Sequence, residues 1–92
     1  MVTHVDVNPP GRDEALAALK TLAGASRKEG GNTRFDVLVQ NVGRLNHFEV
    51  VEVWRTQKDD LAHEIAAHTK DFRTTLTPLS GALYDQRWYR AL

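Results

Sequence analysis

The sequence predicts an α+β fold, in which a four-stranded antiparallel sheet carries two helices on one of its faces. Segments with apolar residues at every second position, typical of strands, alternate along the chain with segments of helical spacing. Their order is strand, helix, strand, strand, helix, strand, with glycine or proline between most of them. A length of 92 residues is that of one domain, so residues 1–92 are expected to form a single folded unit.

The first strand and the first helix occupy the first third of the chain. Val2–Val7 alternates apolar and polar residues, which predicts a strand. The run NPPG at 8–11 ends this strand, because proline has no N–H to donate to a ladder. Gly30 and Gly31 stop the helix that follows, and RKE at 27–29 is expected to be its solvated end. The helix is indicated by apolar residues at helical spacing, namely Leu16, Leu19, Leu22 and Ala23.

The middle of the chain predicts a hairpin. Thr33–Asn41 and His47–Arg55 both alternate as strands do, and the loop at 41–46 has a hairpin's length and contains a glycine. In the third strand of the sheet, one face is expected to carry Phe48, Val50, Glu52 and Trp54. A carboxyl group therefore stands beside an indole on a face that is otherwise apolar.

A second helical region and a final strand complete the pattern. Thr56 is a candidate N-cap, and Pro78 and Gly81 close the helical region. Ala82–Leu92 is typical of a last strand. The complete order is the ferredoxin-like pattern of two split strand–helix–strand units. The apolar face of the helical region is expected to include Leu61, Ile65, His68, Phe72 and Leu76.

Both faces of the predicted sheet carry large apolar side chains, although the helices cover only one. A helix-free face that exposed Phe35, Phe48, Trp54 and Trp88 together would exceed the few hundred Å² of apolar patch that a monomer tolerates. We therefore expect a homodimer in which two sheets pack face to face. The cavity of this dimer would be lined by strand residues that point away from the helices.

Composition excludes several classes of function. Twelve basic and twelve acidic residues leave no net charge, which argues against a nucleic-acid partner. The absence of cysteine excludes disulfides and thiolate sites. No apolar run approaches the length of a membrane span, and the N-terminal residues lack the pattern of a signal peptide. The expected location is the cytoplasm.

Two short motifs carry a resemblance to a known family. An E-x-W motif on the third strand consists of Glu52 and Trp54, and an H-x-x-x-F motif follows at His68 and Phe72. Together with the segments RFDVL, NHFEVVEVW and ALYDQRWYRAL, they resemble the antibiotic biosynthesis monooxygenase domain, including its quinol monooxygenase members. The resemblance covers nearly the whole chain.

The resemblance implies a dimeric α/β barrel whose protomers join through their sheets. Relatives of this kind oxygenate aromatic polyketides or quinols with O₂ and without metal or flavin, others isomerise small molecules, and one branch degrades haem. Three positions depart from these patterns. Val50 stands where the polyketide oxygenases have asparagine, and Asp60 where they have tyrosine. Leu76 stands where the haem-degrading branch has its axial histidine, which argues against haem.

Glu52 and His68 are the candidate catalytic residues. A carboxyl beside an indole in an apolar cavity should have a raised pKa and could take a proton from a phenol. The alternative for Glu52 is a structural role, paired with an arginine such as Arg34, Arg55 or Arg87. His68 could be the acid/base partner, because imidazole titrates near neutrality, or it could satisfy backbone groups at a helix start.

Four aromatic residues are candidates for the wall of a substrate site: Trp54, Phe72, Phe48 and Trp88. The alternative for these rings is ordinary packing in the core or in a dimer interface. His47 and His63 are expected to face solvent. No pair of histidines with a carboxylate has a metal-ligand spacing in the sequence, so a zinc or iron site has weak support. The resemblance implies no cofactor, because in such oxygenases the substrate itself supplies the electrons.

Three functions remain open at this point. The first is a cofactor-independent monooxygenase that oxidises a small quinol-like or phenol-like aromatic with O₂. The second is an isomerase or another small-molecule enzyme, which would use Glu52 and His68 to move protons without O₂. The third is a non-catalytic dimeric domain that binds a small ligand, since one fold hosts many functions.

Overall fold

A computed structural model describes residues 1–40, 46–79 and 85–90 of the chain. Its strands are β1 (Val2–Asp6), β2 (Asn32–Val39), β3 (His47–Trp54) and β4 (Asp85–Arg87), and its helices are α1 (Arg12–Arg27), α2 (Gln57–Glu64) and α3 (Ala67–Leu76). Short 3₁₀ turns lie at Pro9–Gly11 and Thr77–Leu79. Most of the expected hairpin loop, residue Gly81, and residues 82–84 and 91–92 of the expected final strand lie outside the described residues. Within 85–90, only Asp85–Arg87 is strand, so the described part of this strand is shorter than expected.

The four strands form one antiparallel sheet in the order β2-β3-β1-β4. This order, with the helices on one face, confirms the predicted ferredoxin-like α+β fold. Residues on β3 alternate as expected, since the face that carries Phe48, Val50 and Glu52 is buried. Within the described ranges, no helix has the length and apolar character needed to cross a membrane.

The second helical region consists of two helices, where the sequence predicts one. The Thr56 side chain caps α2 as expected, because its hydroxyl accepts a hydrogen bond from the Asp59 N–H at 3.1 Å. Ile65 then leaves helical geometry, and Ala66 is extended with ψ of 149°. This break starts α3 in a new direction and lets Leu76 pack in the core while Ile65 remains exposed.

The prediction that large aromatic side chains lie exposed on the helix-free face of the sheet is wrong. Phe35 and Phe48 lie in the core between sheet and helices. Trp54 lies on the same side, because its ring stacks on His63 of α2. Trp88 also reaches α2, where its indole N–H donates to Asp60 at 3.1 Å. Alternation shows which side chains share a face, but the helices pack on whichever face buries more apolar surface within the chain.

The helix-free face is a mixture of apolar and charged residues. His47 lies 2.6 Å from Asp6 and its ring stacks on that of His4, so polar pairs run along the centre of this face. The apolar members are the partly exposed side chains of Val2, Leu38, Val51 and Val53. The cavity beside the two tryptophans is lined from both faces of the sheet, by Glu52 and Trp54 on the helix side and by Val2, Val51 and Val53 on the helix-free side.

Candidate active site

Glu52 is a buried acid on the helix side of β3, where it retains only 4% of its exposure. The Trp54 indole N–H donates to its Oε1 at 3.1 Å. Burial, more than any other influence, raises the pKa of Glu52 above its ordinary value. The Trp54 hydrogen bond and His63 oppose this rise, whereas the charges of Glu64 and Asp60 add to it. Glu52 is therefore an acid that holds its proton to a higher pH than an exposed glutamate does.

His63 is the unexpected member of the site. It is only 2% exposed, so the expectation that it faces solvent is wrong. Its Nε2 lies 3.3 Å from Oε1 of Glu52, and its ring stacks on Trp54 with 4.7 Å between centroids. The N-cap at Thr56 sets the phase of α2, and two turns later this phase points His63 at the sheet.

Glu29 joins His63 to His68. Its Oε1 lies 2.7 Å from Nδ1 of His63 and also contacts Nε2 of His68 at hydrogen-bond range. Glu29 lies two residues after the end of α1, and its carboxyl is mostly buried. The prediction that residues 27–29 form a solvated helix end is therefore wrong at Glu29. Four side chains thus form a chain of polar contacts, which we call the Glu–His network: Glu52, His63, Glu29 and His68.

Part of the network has the donor set of a metal site. The ligating atoms of Glu29, His63 and His68 all lie within 4.8 Å of one another. The spacing of residues in the sequence did not reveal this set of possible metal ligands, because Glu29 lies 34 residues before His63 in the chain. However, ligands that share one ion at about 2.0–2.1 Å usually lie about 3 Å apart. Here the Glu29 oxygen touches both rings directly, which is the geometry of hydrogen bonds.

A cleft of about 900 Å³ lies beside Glu52 and Trp54. Its volume falls within the range of small-molecule sites. Trp88 and Tyr89 add aromatic surface, and Leu61 adds apolar surface from α2. Three carboxyl groups line the same cleft, because Asp60 and Glu64 of α2 accompany Glu52. The cleft therefore combines aromatic walls with hydrogen-bond acceptors.

A second, much smaller cavity of about 30 Å³ lies on the other side of Glu52. Its polar lining consists of seven side chains, namely Thr3, Glu52, His63, Glu64, Thr69, Arg73 and Gln86. Its apolar lining comes from the core side chains of Val5, Leu22, Val50 and Phe72. This space is the size of one water molecule or another very small molecule.

The structure brings most of the predicted site residues together, but not all of them. Glu52, Trp54 and Trp88 line the cleft, and Phe72 lines the small cavity. Phe48 has no exposure, belongs to the core and is absent from the linings of both spaces. His68 reaches Glu52 only through Glu29 and His63. Arg34 pairs with Asp36 and Arg87 pairs with Asp85. Neither arginine is therefore the partner of Glu52 that the alternative required.

Four members of the site were not singled out by sequence reasoning: Glu29, Asp60, His63 and Glu64. The four-residue spacing of Asp60 and Glu64 does indicate a shared helix face. His63 lies three residues after Asp60, so the same spacing could have placed it near that face. Glu29 carries no such signal, because it lies in a turn where residues follow no repeating pattern.

The strand order, the helices on one face and the buried carboxyl beside two tryptophans define a ferredoxin-like domain with a small-molecule cleft. Residues 1–75 match the model of the family described as "Antibiotic biosynthesis monooxygenase". The chain belongs to this family.

Known proteins agree with this assignment. The chain is 33% identical over 69 residues to "Putative monooxygenase YcnE" of Bacillus subtilis (strain 168), covering 75% of this chain and 72% of that protein. A structure described as "Putative antibiotic biosynthesis monooxygenase" from Nitrosomonas europaea is 25% identical, with a TM-score of 0.93 over 99% of this chain and 95% of that chain. A Bacteroides thetaiotaomicron protein of unknown function, described as "Possible Oxidoreductase", is 27% identical with a TM-score of 0.82, over 91% and 88% of the two chains.

Proposed function

We propose that this protein is a monooxygenase that oxidises a small quinol-like or phenol-like aromatic with O₂ in the cleft beside Glu52. The observation that carries the proposal is a buried carboxyl with a raised pKa at the edge of an aromatic-lined cleft. A carboxylate whose pKa is raised is a stronger base than an ordinary one, which suits it to accept a proton from a phenolic hydroxyl. Membership of the monooxygenase family supports the same reaction class.

The cleft lining supports a neutral, hydroxylated aromatic as the substrate. Trp54 and Trp88 offer faces for ring stacking, which suits an aromatic ligand. Glu52, Asp60 and Glu64 are acceptors and favour hydroxyl donors, while Arg90 and the N-terminal residue Met1 add positive charge to the same lining. Asp60 and Glu64 each have a buried oxygen with no hydrogen-bond partner among the described residues. Two hydroxyl groups on one ring, as in a quinol, would match this set of acceptors.

The proposed mechanism begins when Glu52 takes a proton from one quinol hydroxyl. The phenolate gives one electron to O₂, which forms a semiquinone and superoxide. These radicals join through a new carbon–oxygen bond, and the proton returns to the resulting peroxide. Loss of water breaks the oxygen–oxygen bond, so the overall change is quinol plus O₂ to hydroxyquinone plus water. The substrate supplies all of the electrons, and the mostly apolar cavity beside Glu52 is a suitable place for O₂.

Oxygen uptake with a panel of hydroquinones tests the proposal. We expect the wild-type chain to consume one O₂ for each product and to transfer one labelled oxygen atom from ¹⁸O₂. Glu52→Gln should lose about 10²- to 10⁴-fold in kcat, since it removes the general base. Glu49→Gln is the matched control, because Glu49 lies on the same strand but on the opposite face. Equal loss in the two variants, or no oxygen uptake by the wild type, would contradict the proposal.

An isomerase remains the second candidate. Glu52 and His63 form an acid–base pair 3.3 Å apart, and such a pair can move a proton on a hydroxyketone without O₂. Turnover of hydroxyketones in the absence of oxygen, lost in Glu52→Gln, would favour this candidate. Ligand binding without turnover, unchanged in Glu52→Gln, would instead favour a non-catalytic domain.

The expected partners beyond the substrate stay predictions. These are a second copy of the chain bound through the sheet face and a cytoplasmic setting without nucleic acid. The net charge of zero supports the absence of a nucleic-acid partner. The polar pairs on the helix-free face mean that apolar surface alone does not account for this dimer.

A further inference from the structure

We infer that the Glu–His network is a proton path, which connects Glu52 in the cleft with solvent in a separate groove between α1 and α3. The inference rests on the proposed function, because it assigns the route of the proton that Glu52 exchanges during turnover. It gives His63 and Glu29 the role of internal carriers and His68 the role of the outlet.

The first step of the path is between Glu52 and His63. Nε2 of His63 lies 3.3 Å from Oε1 of Glu52, and both side chains are almost fully buried. Catalytic contacts in a ligand-free site are often slightly long and shorten in the complex. Around this pair, α2 contributes the charges of Asp60 and Glu64, and β3 contributes the Trp54 N–H. Asp60 and Glu64 add to the raised pKa of Glu52, and Arg73 of α3 pairs with Glu64.

The second step passes through Glu29. Nδ1 of His63 lies 2.7 Å from Oε1 of Glu29, so this imidazole presents one nitrogen to each carboxyl group. Thr69 of α3 is the other polar neighbour of Nδ1, at 3.4 Å. An imidazole between two carboxyls can accept a proton at one nitrogen while it releases another from the opposite nitrogen. Glu29 then contacts Nε2 of His68 through the same oxygen.

His68 is the outlet because it is the member of the Glu–His network that is exposed to solvent. Its side chain keeps 26% of its exposure, compared with 3% for that of His63. It lines a groove of about 360 Å³ between α1 and α3, and this groove is distinct from the substrate cleft. Glu14 of α1 and Asp71 of α3 line the same groove as His68. Glu29 is the buried hydrogen-bond partner of His68. His68 therefore joins the network to a groove that is open to solvent.

A path on the helix side is useful when the cleft is occupied. A quinol that binds against Glu52 covers this carboxyl from the cleft. Each turnover takes one proton from the substrate and returns one to the peroxide in a later step, and the network holds this proton between the two steps while His68 keeps it in exchange with solvent. The network would let both transfers proceed while the substrate excludes solvent from the cleft.

Chemical rescue tests the path. His68→Ala should lower kcat about tenfold or more in a weak, bulky buffer, with little change in KM, because a proton shuttle is lost. Free imidazole should restore kcat, since the deletion leaves space for it at the exposed end. Glu29→Gln should lower kcat without rescue, because the break is internal. His47→Ala is the matched control: His47 also pairs with an acid, Asp6, but on the helix-free face.

A readout that needs no substrate accompanies the kinetics. In ¹⁵N-histidine-labelled protein, the ring proton of His63 should exchange with water more slowly in His68→Ala than in the wild type. Imidazole should restore the wild-type rate, and His47→Ala should exchange as the wild type does. If the wild type oxidises no hydroquinone, the proposed function fails and this exchange rate alone decides on the path.

Three results would overturn the inference. The first is that His68→Ala keeps the kcat of the wild type, or keeps the wild-type rate at which the His63 ring proton exchanges with water. The second is a loss in His68→Ala that imidazole does not restore, which would make His68 structural. The third is loss of wild-type activity on chelation with recovery on adding Zn²⁺ or Fe²⁺, which would assign Glu29, His63 and His68 to a metal.

Discussion

At the scale of single residues, Glu52 couples the stability of the fold to pH. Its folded pKa is raised, chiefly by burial, so the folded chain binds this proton more tightly than the unfolded chain does. The stability from this group is therefore fully present below the unfolded pKa of about 4.3 and is lost as the pH rises through the folded pKa. The buried base thus reduces stability in the pH range where it is active.

Glu52→Gln should remove this dependence. Gln keeps an oxygen for the Trp54 N–H but carries no charge, so the variant should gain stability relative to the wild type as the pH rises above the unfolded pKa of Glu52 and should keep this gain above the folded pKa. The gain should be about 1.4 kcal/mol for each unit by which the Glu52 pKa is raised. Urea unfolding of both proteins over this range measures it, with Glu49→Gln as control. Parallel curves for wild type and Glu52→Gln would contradict the raised pKa.

Residue-level prediction from sequence succeeds where two groups share one regular element. Glu52 and Trp54 are two positions apart on a strand, so the period alone places them side by side. His63 and Glu29 meet them only through the packing of α1, α2 and the sheet. No local spacing carries that information, which is why the sequence yields the base and its aromatic neighbour without the groups that complete the network.

At the scale of elements, the turn from α1 into β2 positions the network. Gly31 has φ of +87°, and a Cβ there would lie 2.2 Å from Oδ2 of Asp59 in the first turn of α2. The Gly31 carbonyl also accepts a hydrogen bond from the Arg55 N–H at 2.7 Å. This close approach places the start of α2 against the turn that carries Glu29. Glycine is required because other residues disfavour this backbone geometry.

Gly31→Ala should therefore destabilise the fold by about 1–3 kcal/mol, from backbone strain and the clash with Asp59. Gly30→Ala is the matched control, since a Cβ there meets nothing within 4 Å. Chemical denaturation of the two variants compares their free energies of unfolding. Equal stability in both would show that α2 does not pack closely on this turn.

Element types were predictable because apolar residues repeat with the period of a strand or a helix. The break between α2 and α3 was not, because Ile65 and Ala66 resemble residues of one continuous helix. The covered face of the sheet was not predictable for a related reason. Periodicity groups Phe48 with Glu52 on one face but does not state which face the helices cover.

At the scale of the whole molecule, the helix-free face gives a modified reason to expect a dimer. Its apolar side chains are moderate in size and are separated by pairs such as His47 with Asp6 and His4 with Glu49. An interface of this kind is polar, so its strength should depend on pH and salt. The large aromatic residues play no part in it, because they lie on the helix side.

Sedimentation velocity at micromolar concentration measures the dimer. We expect the wild type to sediment as two subunits and Leu38→Asp to weaken association at least about tenfold, or about 1.4 kcal/mol. Leu38 is 47% exposed on the helix-free face, where a new carboxylate would lie near Asp36 and Glu49. Ile65→Asp is the control on the helix side. A wild-type protein that sediments as one subunit would contradict the dimer.

The most direct test of the central claim is the absorption spectrum of a nitro-substituted hydroquinone bound under nitrogen. The claim is that Glu52 takes the hydroxyl proton, and the phenolate of such a probe absorbs at longer wavelength than the neutral phenol. We predict a phenolate band with the wild type and Glu49→Gln, and a neutral phenol band with Glu52→Gln at the same occupancy. A phenolate band of equal size with Glu52→Gln would contradict the assignment of Glu52 as the base.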